Sequence, residues 1–115
     1  MSVIFSTQQN TPIYKCVYAL APATTFTLWT PATGNKVNIT DLIFSNAAAG
    51  TIALYYGSSD GTVVQTKIME FVTAGSACIT FNFEAPINIP TIDHTVKVRS
   101  GMNGFLGVTA LGYES

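Results

Sequence analysis

Few side chains in this sequence are equipped for chemistry, and their spacing limits what they can form. His94 is the single histidine and follows Asp93 directly. A serine nucleophile system needs a carboxylate that orients the imidazole from across space, with the serine on its far side. Neighbouring residues of an extended segment point to opposite faces, and no nucleophile-elbow pattern supplies the serine. His94 therefore reads as a loop residue. One histidine and two cysteines far apart in sequence give no zinc spacing. Asp60, in Gly57-Ser58-Ser59-Asp60-Gly61, lacks the acidic ladder and closing glutamate of a calcium loop and reads as turn chemistry. Of the six carboxylates, Asp41, Glu70 and Glu84 fall in or beside predicted strands. No two of them are marked as an acid–base pair for glycoside hydrolysis. A glycine-rich phosphate loop is missing. Asn38-Ile39-Thr40 fits a glycosylation sequon, which without a secretory signal reads as chance. The expectation is a protein with no enzymatic activity, no cofactor and no metal.

Cys16 and Cys78 could meet across a sandwich as a disulfide. Two isolated cysteines in a chain without a leader read instead as buried free thiols. The first ten residues have neither a basic region nor a long apolar core, so they are not a signal peptide. No stretch approaches the roughly 20 apolar residues of a membrane helix. The starting Met argues for an intact product of the cytoplasm, and no membrane partner is expected.

Charge is the unusual part of the composition. Charged residues make up 10% of the 115 residues, where about 25% is usual for a globular chain. The surface must therefore be built from Thr, Ser, Asn, Ala and apolar groups, and such a surface favours association. An oligomer or assembly component is expected. The net charge is −1, and only Lys97 and Arg99 sit close together, on one face of a predicted strand. Nucleic acid requires several phosphates to be neutralised, so it is not an expected partner.

Chemistry-poor chains of this kind must be read through their elements. Period-two alternation marks strands at 13–20, 24–30, 36–45, 51–57, 62–69, 77–83, 95–99 and 104–113, with turn residues between them. Residues 1–10 read as an N-terminal arm, and 11–115 as one β-sandwich domain. The pattern is all-β: an antiparallel sandwich of about eight strands, of jelly-roll or Greek-key type, with hairpins dominant. Pro86 and Pro90 suit an edge or a crossing connection. Around Asp41 the alternation breaks, and a β-bulge there would carry Leu42 and Phe44 onto the core face. Tyr55 and Tyr56 place one ring on each side of their strand. With Trp29 they form a candidate sugar-stacking platform, against the alternative of core packing and subunit contacts.

The stretch Leu42–Gly61, in which a strand leads through Ser45-Asn46, small residues and Gly50 to a strand ending Tyr56-Gly57-Ser58-Ser59-Asp60-Gly61, carries a family resemblance. So do Ile79-Thr80-Phe81-Asn82-Phe83-Glu84-Ala85-Pro86-Ile87 and the ending Gly104-Phe105-Leu106-Gly107-Val108-Thr109-Ala110-Leu111-Gly112-Tyr113. Over residues 36–113 the chain resembles small tailed-phage virion proteins: capsid decoration (cement) or accessory head and tail proteins. That resemblance implies a β-sandwich without enzymatic activity, a homo-oligomer with a trimer favoured, and an arm laced onto a neighbour. It also implies a major capsid or other virion protein as partner, and a place in the virion, assembled in the host cytoplasm. The expected interface residues are Val3, Ile4 and Phe5 in the arm and an exposed ring of the pair Tyr55 and Tyr56. The alternative is a carbohydrate-binding or host-adhesion module using Trp29, Tyr55 and Tyr56.

Overall fold

A computed structural model of the chain describes residues 12–21, 24–46, 48–59, 65–101 and 104–115. The expected arm, with Val3, Ile4 and Phe5, lies outside the described residues, as does Asp60. Eight strands form: β1 (Ile13–Ala21), β2 (Thr24–Trp29), β3 (Val37–Asn46), β4 (Gly50–Gly57), β5 (Thr66–Thr73), β6 (Ala77–Asn88), β7 (Thr95–Ser100) and β8 (Gly104–Glu114). They make two antiparallel four-stranded sheets, a first ordered β1-β8-β3-β6 and a second ordered β2-β7-β4-β5. Packed face to face, this order is a jelly roll. Among consecutive strands only β4 and β5 pair with each other. The expectation that hairpins dominate is therefore corrected. Turn residues end a strand equally well whether the chain folds back beside it or crosses to the other sheet. Among the described residues no helix is long and apolar enough to cross a membrane.

The inner rows of the two sheets meet in one core. Leu42, Phe44, Leu106, Val108 and Ala110 come from the first sheet; Leu28, Trp29, Ile52, Leu54, Val96 and Val98 come from the second. Each large apolar side chain buried this way contributes roughly 1.5–3 kcal/mol. An aromatic group ties the sheets together beside β5 and β6. Phe44 meets Phe71 edge-on at 5.0 Å between ring centroids and Phe81 at 5.9 Å, and Phe81 stacks on Phe83.

Bulges set which side chains reach this core. In β3 the register shifts between Ile39 and Asp41 against both β6 and β8. Thr40 is the extra residue, its hydroxyl shared between the Leu111 carbonyl at 3.1 Å and Asp41 Oδ2 at 2.9 Å. The bulge leaves Ile39, Leu42 and Phe44 all fully buried, as the broken alternation around Asp41 predicts. Across from it a Cβ on Gly112 would run into the Asn38 carbonyl, so the close approach there requires glycine. On the other side Phe83, Glu84, Ala85 and Pro86 have no partner in β3. Pro86 thus falls where no ladder donor is needed.

Polar knots close both ends of the sandwich. At one end Asn46 is buried; its amide donates to the Ala48 carbonyl at 2.9 Å and the Ala74 carbonyl at 2.7 Å. At the other, Glu114 accepts from Trp29 Nε1 at 2.9 Å, Ala32 N–H at 3.0 Å and Asn35 Nδ2 at 3.1 Å. Burial pushes the Glu114 carboxyl up, but these three donors and the nearby Lys15 ammonium outweigh it and hold the group below its ordinary value.

Candidate functional site

His94 and Asp93 occupy the connection before β7, and each has a structural task. Asp93 takes a positive φ of 63° and accepts from the Gly34 N–H at 2.6 Å. The His94 ring lies against Tyr56 at 6.0 Å between centroids. Among the described residues no three His, Cys, Asp or Glu side chains gather as a metal site.

The two cysteines are free and exposed, which corrects the expectation of buried thiols. Alternation, not residue type, decides their side: Cys16 shares a row with Thr109, and Cys78 alternates with the core-packed Ile79. They stand on β1 and β6, the opposite edges of the first sheet. Three strand spacings of about 4.8 Å separate those edges, far beyond disulfide reach within one chain.

Trp29 is also corrected. Strict alternation with Phe26 and Leu28 would turn it outward. The register of β2 on β7 shifts between Thr27 and Trp29, so Leu28 and Trp29 both turn inward and Trp29 is 1% exposed. It offers no ring face to a ligand. Tyr56 packs against the core beside His94. Tyr55 alone of the proposed platform stands on an outer face.

Two outer faces remain. On the first sheet, the cross-strand rows run Tyr14–Leu111–Asp41–Asn82 and Cys16–Thr109–Ile43–Thr80, with Ser45, Cys78 and Phe105 beyond. Tyr14 is 67% exposed and Phe105 42%. The one charge in these rows, Asp41, is held by the Asn82 amide and the Thr40 hydroxyl. Both edges of this sheet resist strand addition. Lys15 lies on the inner row of β1, opposite Ala110, and β6 carries the unpaired segment ending at Pro86. Inward charges, bulges and proline are the usual ways of blunting an edge.

The outer face of the second sheet differs. Its rows are Thr25–Arg99–Ala53–Glu70 and Thr27–Lys97–Tyr55–Lys67. Three of the chain's five cations lie here, with Glu70 the one carboxylate among the described residues of these rows. Lys67 and Glu70 pair at 3.0 Å, and Lys67 Nζ sits 5.9 Å from the Tyr55 ring centre. The hydrogen bond and charge of Glu70 hold the Lys67 ammonium above its ordinary value. Lys97 Nζ reaches the Ser58 carbonyl at 3.4 Å, and no carboxylate among the described residues pairs with Lys97 or Arg99. Two shallow depressions share Tyr55 and Arg99. One, of about 200 Å³, is lined by Thr25, Gln65 and Lys97 as well. The other, of about 270 Å³, adds Thr51, Ala53, Glu70 and Gly101. The sequence pattern marked Lys97 and Arg99 as one face; only the strand order brings Tyr55, Lys67 and Glu70 beside them.

No known protein family matches the sequence, and no curated protein does. Among solved structures the chain is similar to a Bacillus endospore appendage of a family of disulfide-linked pili. That match is 16% identical at a TM-score of 0.48 and covers all of this chain and 99% of that one. The virus-like particle of the extra small virus of the prawn Macrobrachium rosenbergii gives 9% identity and 0.41, covering 99% and 82%. An arabinose-bound α-L-arabinofuranosidase gives 12% and 0.40, covering 94% of this chain and 23% of that one. An appendage, a viral shell and an enzyme stand together at these scores, so the likeness decides nothing about activity.

Proposed function

We propose that this protein is a non-enzymatic structural subunit that works by assembling, and that its assembly is a tailed-phage virion. In that role it is a capsid decoration protein that stabilises the shell as an oligomer, with a trimer favoured and a major capsid or other virion protein beneath it. Its location is the virion, assembled in the host cytoplasm. The observation that carries the reading is the outer face of the first sheet. Tyr14, Ile43, Leu111 and Phe105 lie there with two carboxylates, Asp41, held by Asn82 and Thr40, and Glu84 at the β6 edge. Exposed apolar area of this kind is stabilised by being covered, and the blunted edges at Lys15 and Pro86 direct association to the face. The resemblance over residues 36–113 supplies the virion setting. The jelly roll is compatible with it, but the same fold also serves lectins.

Light scattering coupled to size exclusion tests the first half: a symmetric oligomer is expected, and a monomer at tens of micromolar counts against self-assembly. Finding the chain in purified particles tests the second. Deleting residues 1–10 should weaken docking and leave the melting temperature nearly unchanged; a collapsed fold would make that segment part of the core instead of an arm.

A further inference from the structure

The assembly reading rests on the first sheet, and the outer face of the second, where Tyr55 stands, has a chemistry of its own. We propose that the two depressions around Tyr55 form a binding site for a carboxylated saccharide, with Arg99 and Lys97 on the carboxylate and the Tyr55 ring beneath the sugar. The site follows from the register. Ala53 and Tyr55 are successive outward residues of β4, so one side chain is a single carbon and the next is a phenol ring. Arg99 and Glu70 stand on either side of Ala53. The small residue among long ones produces the dip beside the ring, and Gly101, whose N–H donates to the Thr51 carbonyl at 2.8 Å, leaves its rim low.

The polar groups are distributed for a polyhydroxylated anion. At one end Lys97 and Arg99 present cations with no carboxylate of the described residues to neutralise them. A guanidinium there can grip a carboxylate through two parallel hydrogen bonds. Thr25 offers a hydroxyl beside them. At the other end of the second depression stands Glu70, which accepts hydrogen bonds. One of its oxygens is taken by the Lys67 ammonium; sugar hydroxyls would donate to the other, whereas the carboxylate of an acidic peptide or an ionised phosphate oxygen has no proton to offer it. An aromatic ring between these ends gives the apolar face of a pyranose its contact. This ring is the one member of the expected platform that the strand registers leave on an outer face, and cations on β5 and β7, not other aromatics, complete the site.

Titration calorimetry of the full chain with trigalacturonate, at about 150 mM salt so that diffuse attraction is screened, tests the site. Saturable binding is expected. The methyl-esterified trisaccharide, which keeps the sugar and removes the charge, should bind about tenfold more weakly, as should the acid sugar with Arg99→Ala or Tyr55→Ala. Tyr14→Ala, on the opposite face, should leave binding unchanged. Melting curves of the variants confirm that each is folded; Arg99→Gln and Tyr55→Leu replace any that is not. Absence of binding to trigalacturonate overturns the proposal. So does binding that Arg99 and Tyr55 variants leave intact, or a hexa-aspartate peptide that binds as tightly, which would make the face a site for acidic protein segments.

Discussion

Ile43 and Phe44 are neighbours in β3, yet one belongs to an outer face and the other to the core. The two outer faces themselves, built by the same alternation on the same jelly roll, are equally unlike. That of the first sheet pairs exposed Tyr14 and Phe105 with hydroxyls and two carboxylates, Asp41, held by Asn82, and Glu84 at its β6 edge. That of the second gathers Lys67, Lys97 and Arg99 around Tyr55. A sandwich core fixes how residues alternate but leaves the composition of each outer row free. In a chain with so few charges, three cations gather on one sheet, and the outward strand residues of the other carry only the carboxylates Asp41 and Glu84. The charge-poor face suits a partner that excludes water, and the charged face suits one that brings its own opposite charge.

Removing what both faces stand on should have the largest effect. Phe44→Ala takes a fully buried ring out of the cluster it forms with Phe71 and Phe81 across the sheets and should cost about 3–5 kcal/mol in denaturant unfolding, abolishing assembly and ligand binding together. Gly112→Ala should also be severe, because the new methyl meets the Asn38 backbone; a neutral result would show that the bulge at Thr40 can relax. Next comes the polar knot at the sandwich end. Glu114→Gln keeps the shape but loses the charge on three hydrogen bonds and should cost roughly 1–3 kcal/mol at neutral pH. The folded-state pKa of Glu114 lies below its ordinary 4.5. Its contribution is therefore present above that unfolded value and is lost as pH falls through the folded one. Melting temperatures of wild type and Glu114→Gln should converge in that acid window and stay apart at neutral pH. The smallest effect on stability, within about 0.5 kcal/mol, is expected for Arg99→Ala, which should leave the oligomer intact.

Much of this architecture is legible in the sequence. The strands follow from period-two alternation, and the bulge in β3 announces itself because the pattern breaks at Asp41 in an otherwise regular run. The bulge in β2 does not, since Thr25 and Thr27 alternate cleanly up to it, and so Trp29 looks available when it is buried. Tyr55 and Tyr56 are readable as one ring in and one out, but choosing between them needs the register of β4 on β7. Residue type misleads at Cys16 and Cys78, which alternation places outside, and it misleads equally at Lys15, which alternation places on the inner row. The charged face was half visible: Lys97 and Arg99 share a strand, whereas Lys67 and Glu70 join them only because β4 lies between β5 and β7.

Assembly through the first sheet is tested most directly at Ile43, whose side chain can carry a charge outward without touching the core. Sedimentation velocity of wild type and Ile43→Lys across a concentration series makes the comparison, with melting curves to confirm that both are folded. The expected result is a discrete oligomer for wild type and a monomer for Ile43→Lys at the same concentrations and nearly the same melting temperature. A wild type that stays monomeric throughout, or an Ile43→Lys variant that assembles as well as wild type, would contradict assembly through that face.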